Sequence, residues 1–287
     1  MSFRGSLLKK GAHMTNKLSF NAYTLKWIAV IGMIANHVAI ALAPRIPFVP
    51  LLFLYALGGL TYVIMAFFVV EGYKYTSNLK KYISRLFVFG VIAQAFHPMV
   101  LGNTEITGAG LFLNIMFTII LGLIVLVLYD KIKIRVLFWL LFIVACIISL
   151  FMDLYFVGIL VPLLYYTIKK ESRRRTLPGI ISGIIFLIFG LLAGLGAIIY
   201  LATNGTGIDM YETVAATGMS IELMAATPIF AVGCFAGAIL VRNYNGERGK
   251  PAKWLFYIAY PLHLAIIALI AVLAGVTTFN LFGFIQF

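Results

Sequence analysis

The sequence predicts an all-α fold: a polytopic transmembrane helix bundle of about nine helices, N-terminus cytoplasmic and C-terminus outside. Three observations predict it. Hydrophobic residues make up 63% of the 287 and charged residues 11%, too little charge to cover that apolar surface in water. The apolar residues gather into nine runs of about 15–25, where a helix needs about 20 to cross ~30 Å of hydrocarbon. Finally, every one of the 22 lysines and arginines except Arg45 falls on alternate loops, which the positive-inside rule assigns to the cytoplasm.

The first run, Leu25–Ala43, follows Lys17 and Lys26 and holds Asn36 and His37. The second, Pro50–Val70, ends at Glu71 and leads into Lys74, Lys80, Lys81 and Arg85. In the third, Tyr82–Leu101, Pro98 follows His97 and predicts a bend with a freed carbonyl for the ring. The fourth, Gly110–Tyr129, carries Asn114 and Thr118 and reaches Lys131, Lys133 and Arg135. Asp153 separates the fifth, Val136–Met152, from the sixth, Leu154–Ile168, which is short for a crossing. The seventh, Leu177–Leu201, follows Lys169, Lys170, Arg173, Arg174 and Arg175. The eighth, Ile221–Val241, precedes Arg242, Arg248 and Lys250, and the ninth, Lys253–Val276, holds Tyr260, Pro261 and His263. Glu105, Asp153, Asp209 and Glu212 stand opposite the cations. An even number of crossings breaks this alternation.

A net charge of +13 raises the question of nucleic acid. The cations belong to one membrane face rather than to a stripe or arm, so orientation and contact with anionic lipid explain them better. Cys146 and Cys234 both lie inside apolar runs, which speaks against a disulfide framework or a metal site. No stretch outside the runs is long enough for a separate soluble domain; the longest is the Gly/Thr-rich stretch around Thr203–Ser220. Gly11-Ala12-His13-Met14 looks like a cloning junction, so residues 1–13 are set aside and 14–287 read as one membrane domain without a cleavable signal peptide.

Polar side chains at mid-membrane depth are costly and mark candidate sites. Counting from Lys26, Arg85 and Lys253 puts His37, His97 and His263 roughly 16, 18 and 15 Å into the bilayer, near one plane. Asn36, Asn114 and Thr118 enter the same zone. The plain alternative is a helix–helix hydrogen bond worth ~1 kcal/mol or less, and it suits His97 best. Phe256, Tyr260 and His263 share one helical face, and Pro261 loosens the backbone there. Asn36 sets an amide beside an imidazole. Glu71 is either an interfacial anchor or the partner of Arg85 in a buried pair at the inner face. The loop Asn243–Pro251 offers glycines, Arg248 and Lys250 to a phosphate but lacks Walker spacing, so a turn carrying topology charges is the simpler reading. Gly233-xxx-Gly237 and Gly190-xxx-Gly194 read as helix-packing motifs.

Five stretches resemble the TraX family, membrane proteins named for the acetyltransferase that modifies the N-terminus of conjugative F-type pilin. They are LKWIAVIGMIANHVAI (Leu25–Ile40), EGYKYTSNLKKYISRLFVFGVIAQ (Glu71–Gln94), NIMFTIILGL (Asn114–Leu123), DLYFVGILVPLLYY (Asp153–Tyr166) and YNGERGKPAKWLFYIAYPLHL (Tyr244–Leu264). They cover most of the chain in the family's order. The family resembles the acyltransferase-3 class, in which a first-helix histidine acts at the acyl centre and acyl-coenzyme A is the donor. The resemblance marks His37, Glu71, Arg85, Asn114, Tyr260 and His263.

It implies an acyltransferase, with acetyl-coenzyme A as donor substrate and no metal, in the bacterial cytoplasmic (inner) membrane. The expected partners are the bilayer and an envelope peptide, pilin or glycan acceptor. On this reading His37, His263, Tyr260 and Asn36 are catalytic. Glu71, Lys81, Arg85, His97, Asn114, Thr118, Arg248 and Lys250 bind substrate or coenzyme A. Two departures stand out: Asn36-His37 replaces the family's Asp-His, and Gly58-Gly59-Leu60 replaces Gly-Arg-Leu. They suit a different substrate, or a family member kept as a transporter or an assembly or binding protein. A transporter should show related halves, and no convincing repeat is visible. An intramembrane hydrolase lacks a Ser/His or paired-Asp set at matching depth.

Overall fold

The computed structural model describes residues 19–101, 112–204, 221–251, 253–277, 280–281 and 285–286. Residues 1–13, Glu105, Asp209 and Glu212, all named above, lie outside them. Helices dominate: α1 (Ala22–Leu42), α2 (Phe48–Tyr75), α3 (Leu79–Gln94), α4 (His97–Leu101) and α5 (Ile115–Lys131). They continue with α6 (Arg135–Ser149), α7 (Val157–Thr167), α8 (Glu171–Asn204), α9 (Ile221–Arg242) and α10 (Lys253–Leu273). The one strand pair among the described residues joins Asn280–Leu281 to Ile285–Gln286.

Each apolar run carries a helix, and side chains fix where several begin. Asn21 accepts from the Thr24 N–H at 2.9 Å and Asn78 from that of Lys81 at 2.9 Å, the usual way of satisfying a free amide at a helix start. The third run is not one bent helix, as Pro98 suggested. It breaks after Gln94, and Pro98 occupies the first turn of a new short helix, where its missing N–H costs no hydrogen bond. Among the described residues four helices are long and apolar enough to cross a bilayer alone: Ala22–Arg45, Phe48–Tyr75, Glu171–Gly196 and Phe256–Leu273. The 11 residues of α7 rise only about 16 Å. The turn before α7 therefore lies well inside the thickness that its neighbours span.

Large apolar side chains face outward along whole helices: Ile143 and Ile147 on α6, Leu191 and Leu195 on α8, Ile266 and Leu269 on α10. Exposure on this scale is stable in lipid, not in water. The chain is a membrane protein. Its basic loops meet at one end of the bundle: Phe20 pairs with Tyr244, Tyr73 and Tyr166 both donate to Asp130, and Lys74 lies over the Tyr166 ring.

α2 runs through the middle, packed on α1, α7 and α9. Its contact with α9 is backbone to backbone. A Cβ at Gly59 would strike the Phe230 carbonyl, and one at Gly233 that of Ala56. Gly233-xxx-Gly237 is a packing motif, as its spacing predicts.

Candidate functional site: a histidine pair between α1 and α10

Two rings meet across α1 and α10. His263 Nε2 lies 3.1 Å from His37 Nδ1, with ring centroids 4.8 Å apart. Each Nδ1 also faces a carbonyl one turn back, His37 that of Met33 and His263 that of Ala259, both at 2.8 Å. A carbonyl only accepts, so both Nδ1 atoms carry protons. The His263 Nε2 is then a lone pair that accepts from His37 Nδ1–H, which is shared between Met33 and His263. In the neutral His37 ring this leaves Nε2 unprotonated, with no protein partner among the described residues. A basic nitrogen is thus presented at the centre, its ring held from behind by two acceptors.

Tyr260 stands beside both rings, its centroid 6.4 Å from His37 and 5.5 Å from His263. Its side chain is buried, and its hydroxyl lies near the main chain of Ile115 without making a hydrogen bond. A buried O–H with no acceptor is costly and available to an incoming oxyanion.

His97 does not turn to a helix carbonyl. Its Nε2 lies 3.2 Å from Asp153 Oδ2, and neither ring nitrogen meets a hydrogen-bond partner. Asp153 and His97 are both near enough to act on the charge of His37. The common depth expected of the three histidines therefore corresponds to one polar cluster.

Asn36 does not orient His37. Its amide packs against Gly58, where a Cβ would come within 2.5 Å of Nδ2, while the Met33 carbonyl and His263 hold the imidazole. At Gly59 the nearness of the α9 backbone leaves no room for any side chain, which accounts for the second departure.

The residues expected to bind substrate or coenzyme A divide between two places. Asn114 and Thr118 belong to the polar cluster, but their groups are spent inside the protein. The Asn114 amide donates to the Gly90 carbonyl and to Gln94, and its oxygen caps α5 by accepting from the Met116 N–H. Thr118 donates to the Asp153 carbonyl at 2.9 Å. Arg85, Lys81, Arg248 and Lys250 lie at the basic end. Glu71 pairs with Arg174 at 2.8 Å rather than with Arg85, and Arg174 also grips Glu171. Arg85 instead lies over the Tyr257 ring. The loop Asn243–Pro251 is zipped to the head of α1: Glu247 O accepts from Ala22 N and Phe20 O from Asn245 N.

Three contributors escaped the sequence reading. Lys26, counted only as a topology charge, sits over the rings of Phe68 and Phe256 at 4.9 and 5.8 Å, with Arg248 close by. It is three turns below His37 on the same face of α1, about 16 Å away. Gln94 bonds Phe112 O and Asn114, and its place in an apolar run was a usable signal. Asp153 was read as a charge of the opposite face.

The profile of the TraX protein family matches residues 21–271. A relative in Dichelobacter nodosus, "Probable fimbrial assembly protein FimC, serogroup H1", is 27% identical over 273 residues, covering 88% of this chain and 97% of its own. No solved structure matches. The family match spans the first helix through His263 and takes in every residue of the imidazole cluster: this chain belongs to the TraX family.

Proposed function

We propose that this protein is an integral membrane acyltransferase of the bacterial inner membrane, with nine crossings and its basic face in the cytoplasm. It moves an acyl group, acetyl foremost, from acyl-coenzyme A to an amine or hydroxyl of an envelope acceptor such as a pilin N-terminus, a peptide or a glycan. One observation carries the reading. The free Nε2 of His37 stands where α1 meets α10, and at the basic end of that seam, its mouth, Lys26 lies over the rings of Phe68 and Phe256 with Arg248 close by. Cations at the mouth suit the phosphates of coenzyme A, and about 16 Å of seam suits the extended arm that bears a thioester.

The chemistry balances on these residues. The acceptor's N–H or O–H gives its proton to His37 Nε2 as its heteroatom bonds to the thioester carbon, and the carbonyl electron pair moves onto oxygen. Tyr260 donates to that oxyanion. Collapse reforms the carbonyl and breaks the C–S bond, and the His37 imidazolium returns the proton to the leaving thiolate. Met33 O and His263 Nε2 both accept from Nδ1–H of that imidazolium, which stabilises it.

Protein in nanodiscs, supplied with labelled acetyl-coenzyme A and envelope extract, is expected to label an acceptor, and His37→Ala to slow this by about 10²–10⁴-fold. Transfer unchanged by the substitution removes His37 from the mechanism. The name of the Dichelobacter nodosus relative favours a second reading, an assembly partner that binds without transferring. Thermal stabilisation by acetyl-coenzyme A supports the enzyme; none at saturation supports the partner.

A further inference from the structure

The turn between α6 and α7 is built to deliver one carboxylate. Backbone bonds tie it to the extended residues ahead of α5: Leu113 N donates to Phe151 O at 2.8 Å and Asp153 N to Leu113 O at 3.0 Å. The Thr118 hydroxyl holds the Asp153 carbonyl, and its methyl fills the place a side chain at Gly158 would take. The next two residues, Leu154 and Tyr155, both have positive φ, 62° and 47°, a left-handed conformation unfavourable for side chains of this size. Because α7 is short, this strained, tied turn sits at the level of the imidazoles. The Asp153 side chain is 21% exposed, whereas that of His97 facing it is 1% exposed.

We propose that Asp153 is the carboxylate of the histidine centre: a positioning residue that orients buried His97 and sets the charge balance of His37, the role a first-helix acid cannot play here. Asn36 is neutral and faces Gly58. Asp153 comes to His97 from another element, 3.2 Å away, and its charge is felt at His37 and at Tyr260. The titratable groups facing it are His97 from α4, His37 from α1, Tyr260 from α10 and Tyr155 of its own turn. His97 Nε2 stands 3.2 Å from Oδ2, and the negative charge offsets an imidazolium forming on His37. This part in catalysis rests on the acyltransfer reading; the pairing itself does not.

Ring ¹⁵N spectra of histidine-labelled protein in nanodiscs test the pairing, with His97 assigned by the signals that His97→Gln removes. Asp153→Asn is expected to move the His97 ring signals and, less, those of His37; Asp153→Glu is expected to restore them in large part. In the acetyl-transfer assay Asp153→Asn should slow turnover by about 10–10³-fold while stabilisation by acetyl-coenzyme A persists. Ring spectra identical in wild type and Asp153→Asn overturn the proposal, whatever the activity. If Asp153→Asn does not fold, His97→Gln removes the pair from the other side, and His37 signals unmoved by it overturn the proposal equally. A wild type without transfer sinks the acyltransfer reading, and the spectra still decide the pairing.

Discussion

The helices α2, α8 and α9 meet through glycine, with main chain against main chain, whereas α1 and α10 meet through rings and polar atoms. On the first side Gly59 and Gly233 let α2 and α9 touch, and Gly179 of α8 leaves 2.8 Å between a would-be Cβ and Ala238. On the second, His37 Nδ1–H donates to His263 Nε2 and Tyr260 keeps a hydroxyl without an acceptor. In lipid the hydrophobic effect does not hold helices together, so close packing must. The glycine-packed half is organised for adhesion, and the imidazole half retains unsatisfied groups that a substrate can use.

The largest expected effect falls on the packed half. Gly59→Ala sets a methyl against the Phe230 carbonyl, and a main-chain atom has no rotamer to escape into. Destabilisation of about 3 kcal/mol or more is expected, seen as lost yield and an early melt in detergent. A melt within a degree of wild type would break the contrast between the halves.

Next comes a change in the site that leaves stability alone. Tyr260→Phe removes a buried hydroxyl whose O–H has no acceptor, so the melting temperature should hold or rise slightly. Transfer should fall by about 10²–10³-fold, the usual effect of losing one oxyanion donor. Equal losses of stability and activity would mean that the hydroxyl is structural.

At the basic end Arg174→Ala should cost about 2 kcal/mol, because Glu71 and Glu171 lose their common partner in a partly buried site. Lys81→Ala, on an exposed residue, should stay within about 0.5 kcal/mol. Comparable melts for the two would show that the Glu71–Arg174 pair does not fasten α2 to α8.

How much was legible follows from range. The runs forecast the helices because hydrophobic length is local, and the depth count anticipated that His37 and His263 could meet although 226 residues separate them. Glu71 was matched with Arg85, a neighbour in sequence, because nothing in the chain points to Arg174, 103 positions away. The break after Gln94 was hidden because Ala95 and Phe96 carry no breaker signal. Asn114 was conspicuous as a buried amide, yet an asparagine just before an apolar run is also a helix cap, and the cap is what the structure shows. Asp153 was assigned by its loop, although the short run Leu154–Ile168 that follows it already signalled a turn set inside the bilayer thickness.

The smallest effect separates two glycines of one motif. Gly190 and Gly194 have the spacing of a packing pair, but among the described residues only Gly190 is used: a Cβ there would come within 2.5 Å of the Pro228 ring, whereas none of their atoms lies within 4 Å of one at Gly194. Gly194→Ala should therefore be neutral or stabilise by up to about 1 kcal/mol, because alanine restricts the unfolded chain and favours helix. Gly190→Ala should destabilise, to the extent that Pro228 and the α9 backbone behind it fail to give way. Paired melts of the two variants measure how far toward this end of α8 its packing on α9 extends. Equal losses would carry the contact through Gly194, and two gains would end it before Gly190.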